Sequence, residues 1–255
     1  MVAIISPSKD LDFKTRLHPR SYDTPRLWNQ SLELVKLMKG KSPRSLKSLM
    51  SISDKLAIEN SERYKQMTEE FTVENSKPAI FSFSGDVYRG LDVNSLKEDE
   101  LQYTQKYLRI LSGLYGLLRP MDIIQPYRLE MGLPLKVNSK VKNLYQFWTE
   151  RVTQLLEDDI KATNSTHLIN LSSEEYFHVI DKNKISVPIL TVHFREYRNN
   201  KLSFLSFNAK KARGLMSRYL TQSNATNFSQ IKNFNLENYT FDEKLSTEEE
   251  LYFIR

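Results

Sequence analysis

Val2-Ala3-Ile4-Ile5-Ser6-Pro7 is a run of four apolar residues stopped by a serine and a proline. A short continuous apolar run bounded by turn formers suits a buried strand, and it is far too short for a secretion signal or a membrane span. Ala79 to Phe83 and His167 to Leu171 repeat the pattern, and Ile189 to Phe194 and Leu202 to Phe207 are further β-rich stretches. Helical periods lie between them. Thr24-Pro25 reads as a helix start, after which Leu27, Trp28, Ser31, Leu32, Val35 and Met38 share a face as far as Gly40. Ser95 and Glu98 pair as a capping box ahead of Leu101, Leu108, Ile110 and Leu111. Leu144, Phe147, Trp148, Val152, Leu155 and Leu156 follow the same period. Interleaved strands and helices predict a mixed α/β (α+β) protein with a central sheet flanked by helices. No repeat or Gly/Ser linker divides residues 1–255, so a single compact domain is expected.

Lys and Arg outnumber Asp and Glu by 37 to 31, a formal charge of +6 that favours anionic partners without naming one. The absence of cysteine removes disulfides, thiolate nucleophiles and Cys-ligated clusters, so any part in oxidative stress runs through other chemistry. The histidines at 18, 167, 178 and 193 lack metal-ligand spacing, and there is no P-loop, GxGxxG or GxSxG. No metal, no cofactor and no membrane partner are expected, and the protein reads as soluble and intracellular.

Residues 46–57, Leu-Lys-Ser-Leu-Met-Ser-Ile-Ser-Asp-Lys-Leu-Ala, have the spacing of a helix-hairpin-helix. Leu46, Leu49, Ile52 and Ala57 take its apolar positions, and Ser51 and Ser53 stand where glycines are usual. Such a turn offers the free N–H groups of a helix start to a phosphate oxygen, positioning a duplex without reading bases. Ser51, Ser53, Lys47 and Lys55 are the candidate DNA contacts there, with an ordinary turn between core helices as the alternative.

Residues 209–220 carry a second basic element. On a helical wheel Lys210, Lys211, Arg213 and Arg218 gather with Gly214 and Ser217, opposite Ala212, Leu215, Met216, Tyr219 and Leu220. Small residues among cations would let a phosphodiester approach the backbone. The expectation is an open basic face that grips DNA, or nearly as well a phosphorylated small molecule.

Residues 113–134 break helix and strand with repeated glycine and proline while carrying Arg128 and Glu130. Charged long loops are often functional, though Arg and Glu pairing on a surface crossover reads as well. Asp86 follows the Ala79 to Phe83 run, and Glu174 and Glu175 follow the His167 run. Lys9, Asp86, Arg128 and Glu130 are therefore the candidate polar lining of an active site, should the chain be an enzyme acting on a nucleobase or nucleotide. An iron-sequestering protein is a third reading, with no ligand cluster to announce it.

Several blocks together resemble the YaaA family: Ile5-Ser6-Pro7-Ser8-Lys9 with Leu11-Asp12, Gly85-Asp86-Val87-Tyr88, Leu111 to Pro120, Gln125 to Gly132, Leu144 to Trp148, Asn170 to Phe177, and Ala209 to Arg218. The resemblance implies a cytoplasmic bacterial protein made during hydrogen peroxide stress that limits iron-linked damage. It also implies a single domain with a basic cleft and a helix-hairpin-helix element that binds duplex or distorted DNA.

Overall fold

The computed structural model describes residues 1–15 and 22–255; His18 lies outside them. Among the described residues eight strands join one sheet: β1 (Val2–Ile5), β2 (Leu108–Ser112), β3 (Gly116–Leu118), β4 (Leu168–Leu171), β5 (Ile189–Arg198), β6 (Lys201–Ser203), β7 (Thr240–Phe241) and β8 (Glu250–Ile254). The order across the sheet is β7-β8-β5-β4-β1-β2-β3, with β6 paired to β5. β2, β1, β4, β5 and β8 are mutually parallel, and β3, β6 and β7 run antiparallel at the margins. Every residue of β1, β2 and β4 is buried, which is why these strands lack the polar alternation of a half-wet sheet.

Numbered along the chain, the parallel strands lie in the order 2-1-3-4-5. The chain leaves β1 toward β2 on one side and leaves β4 toward β5 on the other. Such a reversal opens a crevice outside the carboxyl ends of the two strands, the usual ligand position in a doubly wound sheet.

Among the described residues seven longer helices accompany the sheet: α1 (Trp28–Lys39), α2 (Pro43–Met50), α3 (Asp54–Gln66), α4 (Asp86–Leu91), α5 (Glu98–Tyr107), α6 (Leu144–Ala162) and α7 (Ser206–Gln222). They share one hydrophobic core with the sheet, in which Ile4, Trp148 and Leu168 are fully enclosed. A buried ion triad stitches the frame. The Asp159 carboxylate of α6 takes two bonds from Arg26 (2.7 and 2.8 Å) and one from Arg109 of β2 (2.5 Å). Burial acts to raise this carboxyl, but those hydrogen bonds and charges outweigh it and hold it below its ordinary value.

Three expectations are corrected. Ala79 to Phe83 is not a sheet strand: Ala79–Ser82 is one helical turn after Pro78, closed by the Ser82 hydroxyl donating to the carbonyls of Lys77 and Pro78. A short apolar run satisfies burial in either conformation, and the proline favours the helix start. The helix expected through Leu111 ends at Tyr107, and Leu108–Ser112 crosses into the sheet beside β1. Its cap also sits two residues later, with the Glu100 carboxylate accepting from the Lys97 N–H at 2.7 Å. Of Leu202 to Phe207 only Leu202 and Ser203 are strand, in β6, because α7 has begun by Ser206.

The open basic face expected on α7 is also corrected. Gly214 is buried against α4, where main chain meets main chain, and Ser217 is buried with its hydroxyl donating to the Arg213 carbonyl. A Cβ on Gly214 would lie 1.9 Å from the Val87 carbonyl oxygen, and one on Gly90 would lie 2.2 Å from that of Lys211. The small residues admit a helix, not a phosphodiester. Gly214→Ala is expected to lower unfolding free energy by about 1–3 kcal/mol, the usual cost of overpacking, measured by urea denaturation. An unchanged midpoint would show that the crossing can open without penalty.

Candidate functional site

The carboxyl ends of β1 and β4, where the topology places a ligand crevice, are bridged by two serines. The Ser173 N–H donates to Ser6 Oγ at 2.8 Å, the Ser6 hydroxyl donates to Ser173 Oγ at 3.2 Å, and the Tyr88 hydroxyl donates to the Ser6 carbonyl at 3.1 Å. Beyond Ser6, the Ser8 hydroxyl donates to the Ser84 carbonyl, and Asp10–Leu11 pairs with Phe83–Ser84. Gly85, at φ 148°, is required here, since a Cβ would meet Ser8 Oγ at 2.6 Å.

This loop delivers Lys9 to Glu130. Lys9 Nζ lies 3.3 Å from Glu130 Oε1, which also accepts from Arg128 Nε (3.1 Å) and Nη2 (3.0 Å). The Glu130 side chain is 8% exposed and that of Lys9 is 61% exposed, so the cluster runs from the interior to solvent. Glu130 Oε2 is buried and has no hydrogen-bond partner among the described residues. Phenols surround it: Tyr64 donates to the Arg128 carbonyl at 2.8 Å, and Tyr127 and Ser112 share a 2.6 Å bond. Burial, reinforced by neighbouring phenols and Glu130, pushes the hydroxyls of Tyr64 and Tyr176 upward, so they remain donors at neutral pH. The cluster thus holds a carboxylate with one spare acceptor lobe between two cations.

Lys9, Arg128 and Glu130 therefore meet, whereas Asp86 does not join them: it pairs with Arg89 one helical turn on. Glu175 serves the backbone, accepting the Gly132 N–H at 3.0 Å. Among the described residues no group of three His, Asp or Glu gathers to hold a metal ion.

The hairpin expected at residues 46–57 is a turn between two helices. Ser51 ends α2 at φ 51°, ψ 51°, the left-handed conformation for which glycine is normally chosen, and Ser53 caps α3 by accepting the Leu56 N–H at 3.3 Å. Leu46, Ile52 and Ala57 are buried beneath, and Ser51, Ser53, Lys47 and Lys55 face solvent. Lys47 is paired with Asp54 at 2.9 Å; Arg44 and Lys55 form no ion pair with the described residues.

On α7 the cations are dispersed. Lys211 pairs with Glu237, and Arg218 is spent on the carbonyls of Leu91 and Asp92 (3.0 Å each) and on Ser95 Oγ (2.7 Å). Arg213 is partly buried with its Nε enclosed and without a partner among the described residues, and Lys210 is exposed. A wheel shows which residues share a side of one helix. It does not show that α4 and Glu237 cover that side.

Residues 1–245 match the family described as "Peroxide stress protein YaaA". A UPF0246 protein of Flavobacterium psychrophilum is 46% identical over 255 residues, covering all of both chains. UPF0246 proteins of Aliivibrio fischeri and Hahella chejuensis are each 43% identical over the whole of this chain and 98% and 99% of their own. The chain belongs to the YaaA family. Membership places it in the peroxide stress response.

The blocks by which the sequence resembles YaaA proteins are scattered along the chain, yet four of them converge on the crevice. Ser6 to Lys9, Gly85 to Tyr88, Gln125 to Gly132 and Asn170 to Phe177 are linked there by the bonds above. The basic residues that reading by motif passed over are Lys36, Lys39, Lys41 and, as a contact, Arg44. Counting charge along the chain would have found them. Residues 36–55 hold six cations (Lys36, Lys39, Lys41, Arg44, Lys47, Lys55) and one acid (Asp54), net +5 of the chain's +6.

The hairpin geometry has a direct test in stability. Ser51→Gly is expected to raise unfolding free energy by about 1 kcal/mol by relieving left-handed strain, and Ser53→Ala to lower it by about 1 kcal/mol by removing the cap. Thermal melts of both variants check the pair of signs; the same sign for both would contradict the turn described.

Proposed function

We propose that the chain acts in the peroxide stress response by holding DNA through its backbone phosphates at the α2–α3 hairpin. The observation that carries this reading is the concentration of almost the whole net charge on residues 36–55, around a turn whose helix-start amides face solvent. The last turn of α1 adds Lys36 and Lys39 and α2 adds Arg44, so along the chain the cations come just ahead of the helix start at Asp54 and Lys55. Phosphate is the ligand such a surface suits, since the helix start and the cations attract it together. Contacts to phosphate carry no sequence information, so the partner is duplex or distorted DNA with little sequence preference. Occupying the polymer in this way would limit iron-linked damage to it without a metal site in the protein. Lys210 of α7 is left as an outlying contact, and Lys211, Arg213 and Arg218 drop to minor roles.

The double variant Arg44→Ala/Lys55→Ala should weaken binding to all duplexes alike. It should also flatten the log affinity against log salt slope by about 2, close to one for each phosphate no longer neutralised. Fluorescence anisotropy at several salt concentrations measures both, and an unaltered slope would exclude the hairpin as the DNA-holding surface.

The crevice supports a second reading, an enzyme acting on a nucleobase or nucleotide, because Glu130 keeps an unpartnered oxygen beside Lys9 and Arg128. Such an oxygen can accept the N–H of a base edge or a proton, with the cations holding its charge. Chromatography of nucleosides, nucleotides and oligonucleotides incubated with the protein is expected to reveal a product that Glu130→Gln abolishes while duplex affinity stays unchanged. Absence of any product with the unaltered chain ends this reading and leaves the first standing.

A further inference from the structure

We propose that the outer face of β5 and β6 is a stacking platform for single-stranded nucleic acid. The inference rests on the nucleic-acid reading above and adds a substrate class, the unpaired strand, at a surface separate from the hairpin. Along β5 the odd and even residues part: Leu190, Val192 and Phe194 enter the core, and His193, Arg195 and Tyr197 turn to the other face. On that face the rings and cations are already ordered. His193 stacks on Tyr252 of β8 with centroids 4.6 Å apart and planes at 20°. The Arg195 guanidinium lies over the Phe204 ring at 4.9 Å and over Tyr252 at 5.9 Å. Tyr197 and Leu202 are direct partners across the ribbon.

The outer part of this surface is uncovered. Tyr197 is 59% exposed, Phe204 53% and Phe207 59%, and with Leu202 they make up half of the exposed large apolar side chains of the described residues, all within residues 197–207. Scattered apolar exposure is ordinary on a soluble protein; three exposed rings and a leucine within residues 197–207 are not scattered.

Charge selects the occupant. Of the carboxylates at this surface, Glu196 is buried and spent on Arg255 and Tyr239 (2.9 Å each) and on Arg198 (3.2 Å), and Glu250 of β8 is paired with His193. Arg195 has no carboxylate partner among the described residues, and neither has Arg213 nearby. Burial and the charge of Arg195 push the Arg213 guanidinium down to about 10. The Arg195 guanidinium, without a carboxylate and lying over the exposed Phe204 ring, calls for a ligand with both anionic and aromatic faces. A nucleotide strand has both, and only an unpaired strand frees its base faces for stacking. A second copy of this chain would bring the same cations against these.

The test uses the full chain, a fluorescein-labelled oligothymidylate and a blunt duplex. Tyr197→Ala and Phe204→Ala should each weaken oligothymidylate binding roughly five- to a hundredfold. Both sites are exposed, so each variant should melt as the parent does and bind duplex within about twofold. Phe204→Trp provides a direct readout: Trp28 and Trp148 are buried, so the new indole alone should be quenched when bases stack on it. Parent-like oligothymidylate affinity in both alanine variants, or an unquenched indole, overturns the platform, and so does a self-associated species that Phe204→Ala dissociates. If duplex binding persists while the platform variants are silent, the platform alone falls. If the unaltered chain binds neither nucleic acid, the nucleic-acid reading falls with it.

Discussion

Irregular backbone buried in a core must find a partner for each amide and carbonyl, and residues 113–131 depend on meeting that demand. Most of this stretch is enclosed, yet it contains only the short pairings at β3 and Ile123–Ile124. Side chains and distant main chain supply the rest. The Trp148 indole donates to the Gly113 carbonyl at 2.9 Å, Tyr64 to that of Arg128, and the Tyr115 hydroxyl accepts the Gln125 N–H at 3.0 Å. The Ile123 N–H reaches the Asp23 carbonyl, and the Ala79 N–H reaches that of Asp122. Each unmet group would cost about 1–3 kcal/mol, so these bonds decide whether the segment can be interior at all. They also join α3, α6 and the N-terminal segment to one hub, on which Arg128 and Glu130 are held.

Positive charge on this molecule is of two kinds. Some cations have been consumed by the fold: Arg26 and Arg109 on Asp159, Arg218 on the carbonyls ending α4, Arg255 and Arg198 on Glu196. Others, Lys36, Lys39, Lys41, Arg44, Lys55 and Arg195, have no carboxylate partner among the described residues. Net charge counts both alike, but only the second kind is available to a ligand. For that reason a basic helix in sequence does not by itself show which of its cations the folded neighbours leave unpaired.

Much of the architecture could be read directly. The three-turn rhythm from Trp28 to Lys39, the amphipathic α6 and the apolar runs of β1 and β4 depend on local periodicity, which folding preserves. What escaped depends on distance. Leu108–Ser112 becomes a strand because β1 offers an open parallel edge, and β8 forms beside β5 from the mixed run Glu250–Ile254, which has no strong signal of its own. At the crevice, Lys9, Arg128 and Glu130 were legible as polar residues in breaker-rich loops, and their meeting follows from topology. Asp86 looked equivalent to them and is spent locally on Arg89. The hairpin was visible in apolar spacing alone; that serine, not glycine, adopts the left-handed turn is settled by how α2 and α3 pack.

The contact of Gly90 with Gly214 sets more than a packing distance. Side-chain contacts between helices can drift as residues change size, whereas two main chains in van der Waals touch have no slack to lose. α4 begins beside Gly85, which packs on Ser8 in the loop that carries Lys9; α7 begins beside Phe204 and Phe207. The glycine pair therefore acts as a fixed gauge between the crevice and the aromatic ribbon, and evolution can remodel either surface without altering the spacing of the two.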